Sequence, residues 1–425
     1  MRTATQALTV IAELDPSPGA RALLDHRLAV IAHDLEHNPI FRPNALPDTH
    51  FTRFVIIEDP RGELPPLLAW ESNHDGRTVD YLAQVARTAP SIDAVFACCV
   101  GYPATGARDV DAWVAWMMAR AYPAGAFYTA YRGVPRHQIV AARRVHEAIR
   151  DALDREDRAA LCALSRHELQ RRIREHVAAR APELELSSAN DQEVRWLVGK
   201  ILAVLGVLAV LPLALVLALP WYIVLRRKES TDIACAYARP TEVHEAVRDA
   251  EDRLTQNQLT HVVDLKPGRF RLATLWLVLK AIDVIARVYS VRGDLGGITT
   301  IHFARWVILR DPRPGGARHR LVFFSNYDGS WESYLGEFVD RAAYGLTAVW
   351  SNTLGFPLTE HLTGKGARDE ESFKQWTREH QLPTQVWWSG AAGCTVQNIR
   401  DDLWIHARLD RGMSDAEIVA WLRKL

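Results

Sequence analysis

One string of motifs occurs twice in the chain, and that duplication limits the folds open to it more than any other feature. His50-Phe51-Thr52-Arg53-Phe54-Val55-Ile56 returns as His302-Phe303-Ala304-Arg305-Trp306-Val307-Ile308, and Asp59-Pro60 returns as Asp311-Pro312. Ser72-Asn73-His74-Asp75-Gly76 returns as Ser325-Asn326-Tyr327-Asp328-Gly329, and Gly106-Ala107-Arg108-Asp109 as Gly366-Ala367-Arg368-Asp369. Trp116, Pro123, Ile139 and His146 then meet Trp376, Pro383, Ile399 and His406 in the same order. Ordered identities at nearly constant spacing are the mark of a tandem repeat.

Each copy reads as the same series of elements. Residues 7–14, 51–57, 67–72 and 94–100 have strand character in the first copy, with helical periodicity around 24–35 and 79–86. The second copy gives strands at 259–265, 300–309, 321–325 and 346–352, and helices at 271–289 and 331–342. The order β-α-β-β-α-β is ferredoxin-like. A sheet covered by helices on one face leaves the other bare, and two such sheets in one chain can bury their bare faces on each other. The expected fold is therefore α+β: two tandem ferredoxin-like repeats forming an intrachain dimeric α/β barrel, with a ligand-sized seam between them. The domains fall at 1–150 (repeat with helical extension), 151–192 (helical linker), 193–228 (membrane-inserting segment) and 229–425 (second repeat with C-terminal extension).

The membrane segment rests on residues 201–225, which contain no charged residue and exceed the roughly 18 apolar residues that mark a membrane helix. Arg226-Arg227-Lys228 follow, Arg195 and Lys200 precede, and Trp221-Tyr222 stand at one edge as an interfacial belt. A single span would place the two repeats on opposite sides of the bilayer, where their sheets could not meet. Pro212 lies near the middle of the run, so the sequence favours a re-entrant hairpin over a full span. The helix at 271–289 adds a broad apolar face with Lys280, Asp283 and Arg287 on one side, suited to a bilayer interface.

Composition excludes other classes. Lys+Arg and Asp+Glu both number 51, so no basic excess points to nucleic acid. Five cysteines with no CxxC pair disfavour a disulfide framework or zinc ribbon and fit a reducing compartment. The first thirty residues hold acids and prolines rather than the apolar core of a secretory signal.

Candidate chemistry gathers in the second copy. His302 and Arg305 lie three apart on a strand and point to opposite faces, with Asp311 or Asp328 as ion-pair partners. The Asn326-Tyr327-Asp328-Gly329 turn suits an Asp that caps the next helix. His146 and His406 sit at equivalent places on the two terminal helices, where a histidine beside a seam could ligate haem iron. Asn326, Trp306 and Trp350 are candidate substrate contacts in an aromatic-rich region that also holds Trp331, Trp376, Trp387, Trp388 and Trp404. His33 and His37 lie at i and i+4 without a marked third ligand, so no metal site is assigned. No P-loop, GxGxxG or GxSxG string occurs.

The strings HFARWVIL, LVFFSNYDGSWESYLGEFVD and AVWSNTLGFP resemble a bacterial family of membrane-associated proteins. More remotely, two ferredoxin-like units in one chain are similar to the dimeric α/β barrel superfamily of dye-decolourising peroxidases, chlorite dismutases and small monooxygenases. The peroxidase branch implies haem, a distal Asp in a GxxDG motif, a nearby Arg and a proximal His. Asp328, Arg305 and His406 would take those places, with Ser325 where the motif has its first glycine. Two functions follow as expectations. One is a membrane-surface oxidoreductase, with His302, Arg305 and Asp328 catalytic and a lipid-soluble or aromatic substrate in the seam. The other is a non-catalytic membrane-anchored module that binds lipid or docks a partner. Both place the protein at the bacterial inner membrane with the repeats on the cytoplasmic face.

Overall fold

Alternating apolar and polar residues at matching places in the two copies produce six strands of nine residues each. The first copy supplies β1 (Thr5–Glu13), β2 (Thr49–Ile57) and β3 (Leu67–Asp75). Two short strands, β4 (Ala126–Thr129) and later β10 (Val386–Ser389), follow the cores of the first and second copies. The second copy supplies β5 (Gln256–Asp264), β6 (Ile301–Leu309) and β7 (Arg320–Asp328), and β8 (Thr359–Glu360) pairs with β9 (Gly364–Lys365) as a small hairpin. The computed structural model describes residues 5–180, 190–233, 245, 247–249, 251–288, 295, 297–313, 315–409 and 412–425. It is a mixed α+β architecture with antiparallel sheets and one long apolar helix. Part of the expected linker (181–189), the end of the expected 271–289 helix at Tyr289, and Cys235 lie outside the described residues.

The sheets run β1-β3-β2-β10 and β4-β6-β7-β5. The copies therefore exchange their fourth strands. β4 pairs with β6 (Ala126 opposite Trp306), and β10 pairs with β2 (Val386 opposite Phe54). Gly125 leads β4 in with its N–H on the Trp306 carbonyl at 2.7 Å, and a Cβ there would stand 2.8 Å from Leu279 Cδ1. A larger residue there would make the Leu279 side chain shift.

This exchange corrects two expectations. Residues 94–100 are not a strand: a short helix, Asp93–Phe96, occupies their start. Residues 346–352 fall mostly inside the helix Trp331–Trp350. The two stretches differ from each other because of Pro90, which stops the first copy's helix Thr78–Thr88, whereas Tyr344 stands at the matching place in the second copy.

Every position of β2 and β3 is buried, because each sheet is covered on both faces. Alternation along β2 shows the layers. Phe54 and Ile56 enter a core with Leu24, Leu28 and Ile31 of the helix Ala20–His33, while Val55 and Ile57 meet Val307, Leu309, Val322 and Phe324 of the other sheet. The second sheet carries Leu275 and Leu279 of the helix Arg269–Val288 on its outer face. A fourth core joins the extensions: Val145 and Ile149, Ile173 and Val177, Ile405, and Ile418 and Trp421 come from four helices.

The apolar segment differs from its expected shape. Asn190–Glu229 is one helix of 40 residues with Pro212 and Pro220 inside it, and no hairpin breaks it at Pro212. Its last turns are tied to the body. Trp221 Nε1 donates to Thr274 Oγ1 at 3.1 Å, Tyr222 pairs with His361 at 2.7 Å, and Glu229 accepts from the Leu362 N–H at 2.7 Å. Asp232 then accepts from Lys266 (2.7 Å) and Arg271 (2.8 Å).

Two guanidiniums bridge the sheets. Arg53 and Arg305 are both fully buried and share one carboxylate, Glu71, at 2.9 and 2.7 Å. Removing the anion leaves two buried cations without their counter-charge, a loss of about 3–5 kcal/mol for a broken buried pair. Glu71→Gln is accordingly expected to lower unfolding stability by that amount, read from the denaturant midpoint at neutral pH. A loss under about 1 kcal/mol would mean that Glu71 acts as an exposed ion would.

Candidate functional site

The duplicated strands set one polar pattern twice across the seam. Arg53 donates to the Ser325 carbonyl (2.9 Å), Asn326 Oδ1 (2.6 Å), the Leu259 carbonyl (3.0 Å) and Thr260 Oγ1 (3.2 Å). Arg305 donates to the matching set in the first copy: the Ser72 carbonyl (3.1 Å), Asn73 Oδ1, the Leu8 carbonyl (2.6 Å) and Thr9 Oγ1 (3.2 Å). The symmetry fails where Phe324, which lies under Arg53 at 5.5 Å, is the counterpart of Glu71, and where Arg53 also donates to Gln258 (3.1 Å), whose counterpart is Ala7. Burial pushes the Arg305 guanidinium down to about 10, and Arg53 is lowered for the same reason. Both remain charged at neutral pH, and their donors are consumed by protein oxygens.

A second pattern is also duplicated. His302 Nε2 meets Asp328 Oδ1 at 2.7 Å, and Asp328 Oδ2 accepts from the Val396 N–H at 2.7 Å. His50 Nε2 meets Asp75 Oδ1 at 3.0 Å, and Asp75 Oδ2 accepts from the Arg136 N–H at 2.7 Å. Val396 and Arg136 are the first residues of the helices Val396–His406 and Arg136–Arg155. Each aspartate thus neutralises the positive end of its copy's extension helix while the histidine holds the carboxylate in place. Asp328 is the partner of His302, but it caps a distant helix rather than the next one. The other ring nitrogen of His302 is taken by the Tyr131 hydroxyl at 3.0 Å, whose own ionisation burial pushes far upward.

The expected site residues do not converge. His302 and Asp328 form one unit, while Arg305 and Asn326 lie in the bridging network, where Asn326 Oδ1 also accepts from Trp387 Nε1 at 2.9 Å. Trp306 packs on Phe323 on the helix-covered side of the second sheet, with ring centres 4.7 Å apart. Trp350 lies among Trp376 (5.3 Å) and His261 (4.8 Å). His146 pairs through Nδ1 with Asp402 where the two extension helices meet, and His406 is buried on the second of them. Glu71, Arg53, Asp75 and Asp402 complete these groups and were not singled out as site residues from sequence; the twofold recurrence of Arg53 and Asp75 was the available signal.

One small cavity, of about 10 Å³, opens beside His261, Phe323, Trp350 and Trp376. It holds one water at most. Among the described residues neither ring nitrogen of His261 has a hydrogen-bond partner, and burial holds its pKa well below the usual imidazole value. Val10 occupies the matching place in the first copy.

The residues expected to hold haem are engaged with the protein itself. Arg305, Asp328 and His302 are packed against protein partners, and the small cavity beside His261 is lined by other residues. Among the described residues no group of three His, Cys, Asp or Glu side chains is placed to hold a metal ion. Comparison with family models, curated proteins and solved structures returns no match.

Burial also holds His74 at about 4; the ring is stacked on Tyr81 with centres 4.1 Å apart. The folded protein keeps it neutral, whereas the unfolded chain protonates near 6.5. Stability is therefore full above that value and lost as pH falls toward 4. Tyr327 on Tyr334 is the second copy's version of this stack. His74→Tyr is expected to flatten the decline of Tm between about pH 7 and pH 4.5, measured by scanning calorimetry; an unchanged slope would assign the acid sensitivity to other groups.

Proposed function

We propose that the protein is a non-catalytic, membrane-anchored module: two ferredoxin-like repeats closed as a barrel-like pair and held on a bilayer by the helix between them. The carrying observation is the 32-residue stretch Val198–Glu229, whose apolar 18-residue window has a mean hydropathy of 3.0 with none of it covered by the body. In water that surface is strongly unfavourable, since each fully exposed leucine forgoes about 1.5–3 kcal/mol of burial. Hydrocarbon covers it without any protein partner.

The body's own surface supports the same reading. Trp276, Leu277 and Ile285 of the helix Arg269–Val288 are each about half exposed, and Thr274 of that helix bonds Trp221 of the apolar one. Trp221, Tyr222 and Trp276 would lie at headgroup depth, with Arg226, Arg227, Lys228 and Lys280 toward anionic lipid. The positive-inside bias of that cluster supports the cytoplasmic face of a bacterial inner membrane. The oxidoreductase reading needs a seam open to substrate, and the bridging arginines with their carbonyl partners fill it.

Flotation tests the proposal. The full chain, mixed with vesicles of phosphatidylcholine and phosphatidylglycerol, is expected to rise with the lipid and to stay bound in 1 M salt. Leu208→Lys/Leu215→Lys, which sets two charges in the apolar run, is expected to cut the lipid-bound fraction at least tenfold. Wild-type protein that stays at the bottom of the gradient would refute the anchor.

A further inference from the structure

We infer that the apolar helix lies within one leaflet, with both of its ends on the same side of the bilayer. This rests on the membrane reading above and adds the topology that the body imposes on it. The helix enters from the first copy and leaves to the second, and these copies are one body: they exchange β4 and β10 and are bolted through Arg53 and Arg305. No bilayer can pass between them.

Chain length then decides. At its exit the helix is fixed to the body through Trp221, Tyr222 and Glu229. At its entry the last fixed residue is Arg180, which pairs with Asp151 at 3.2 Å just beyond the buried Ile173 and Val177. Asn190 stands about 46 Å from Trp221 along the helix at about 1.5 Å per residue. The link from Arg180 to Asn190 reaches about 35 Å at full extension. A span would set Asn190 beyond the far headgroups, about 40–45 Å from the near surface, and the link falls short of that.

The link would also have to return through hydrocarbon as extended chain carrying Glu183 and Glu185. Unpaired backbone of that kind is not tolerated in lipid. Laid along the membrane, the same helix needs the link only to bring Asn190 back toward the body's own face. Lys200 and the Arg226–Lys228 cluster then both reach headgroups on one side, which is the charge distribution the sequence has. The prolines leave the helix continuous and do not make the turn that a hairpin requires.

Cysteine labelling in native membranes tests this. In full-length protein with Cys162→Ser and Cys235→Ser, cysteines are placed at Gly199→Cys, Leu213→Cys and Arg227→Cys. Gly199 has no neighbour within 4 Å to disturb. Right-side-out and inverted vesicles from expressing cells are treated with a membrane-impermeant maleimide. Gly199→Cys and Arg227→Cys are expected to label in the same vesicle orientation, to within twofold of each other, while Leu213→Cys labels at least tenfold less in both. Labelling of 199 and 227 in opposite orientations, with 213 protected, would overturn the one-leaflet topology and leave the anchor standing. Labelling of Leu213→Cys as fast as the other two would overturn the anchor itself.

Discussion

Two arginines that cross the seam, each held by carbonyls of the opposite sheet, are the constraint from which the rest of this structure follows. A guanidinium buried this deeply is unfavourable unless its donors are met and its charge balanced. Arg53 and Arg305 meet that demand only if the two sheets keep one register against each other, since Ser325 and Leu259 must face Arg53 just as Ser72 and Leu8 face Arg305. Sliding the sheets by one residue would offer side chains in place of carbonyls. The exchanged strands enforce the same alignment through backbone pairing. Polar specificity and covalent topology thus point to one arrangement.

Duplication explains the frame, and its failures show where the halves have diverged. Glu71 against Phe324 leaves one carboxylate for two guanidiniums, so the pair of arginines is balanced from one side only. Val10 against His261 replaces an aliphatic core residue by an imidazole with no partner among aromatic rings. Pro90 against Tyr344 cuts one helix and leaves the other whole. The first copy's helix Ala20–His33 carries Arg21, Asp25 and Arg27, whereas its counterpart Arg269–Val288 exposes Trp276, Leu277 and Ile285. The second copy thus carries the exposed apolar helix face, while the first copy supplies Glu71.

The repeated HFxRF/W and SNxDG strings made the strands and their pairing legible, because a buried two-sided strand leaves a continuous apolar run that survives in both copies. The apolar helix was legible for the same reason of length. The fourth strands were not. Ala126–Thr129 and Val386–Ser389 are four residues long, too short for periodicity to register, while the β-branched and apolar run at 94–100 imitated a strand. Tertiary context decided between them, since β6 and β2 each had a free edge that only the exchanged segments could reach. Among site residues, His302 with Asp328 could be anticipated from type and position. That Asp328 would cap the helix at Val396 could not, because nothing local links residues so far apart in the chain. Glu71 gave no sign of its role, as Phe324 stands at its place in the other copy and no repeat marks it.

The sealed seam and the exposed helix are linked through topology. Had the two copies been separate domains on a flexible tether, the run at 201–225 would read as an ordinary span with one domain on each side. With the sheets locked, the proposed topology has the same sequence start and finish on one surface, and its all-round apolarity takes on a different meaning. An interfacial helix with a polar stripe floats at headgroup depth. One with no stripe sinks below it, and here the charged residues at its two ends and the exit contacts of Trp221, Tyr222 and Glu229 would hold it. On that topology depth follows from these contacts and from how far Lys200 and Arg226–Lys228 reach back to water, not from any face of the helix. On the proposed topology, the strand exchange thereby also fixes the posture of the apolar helix.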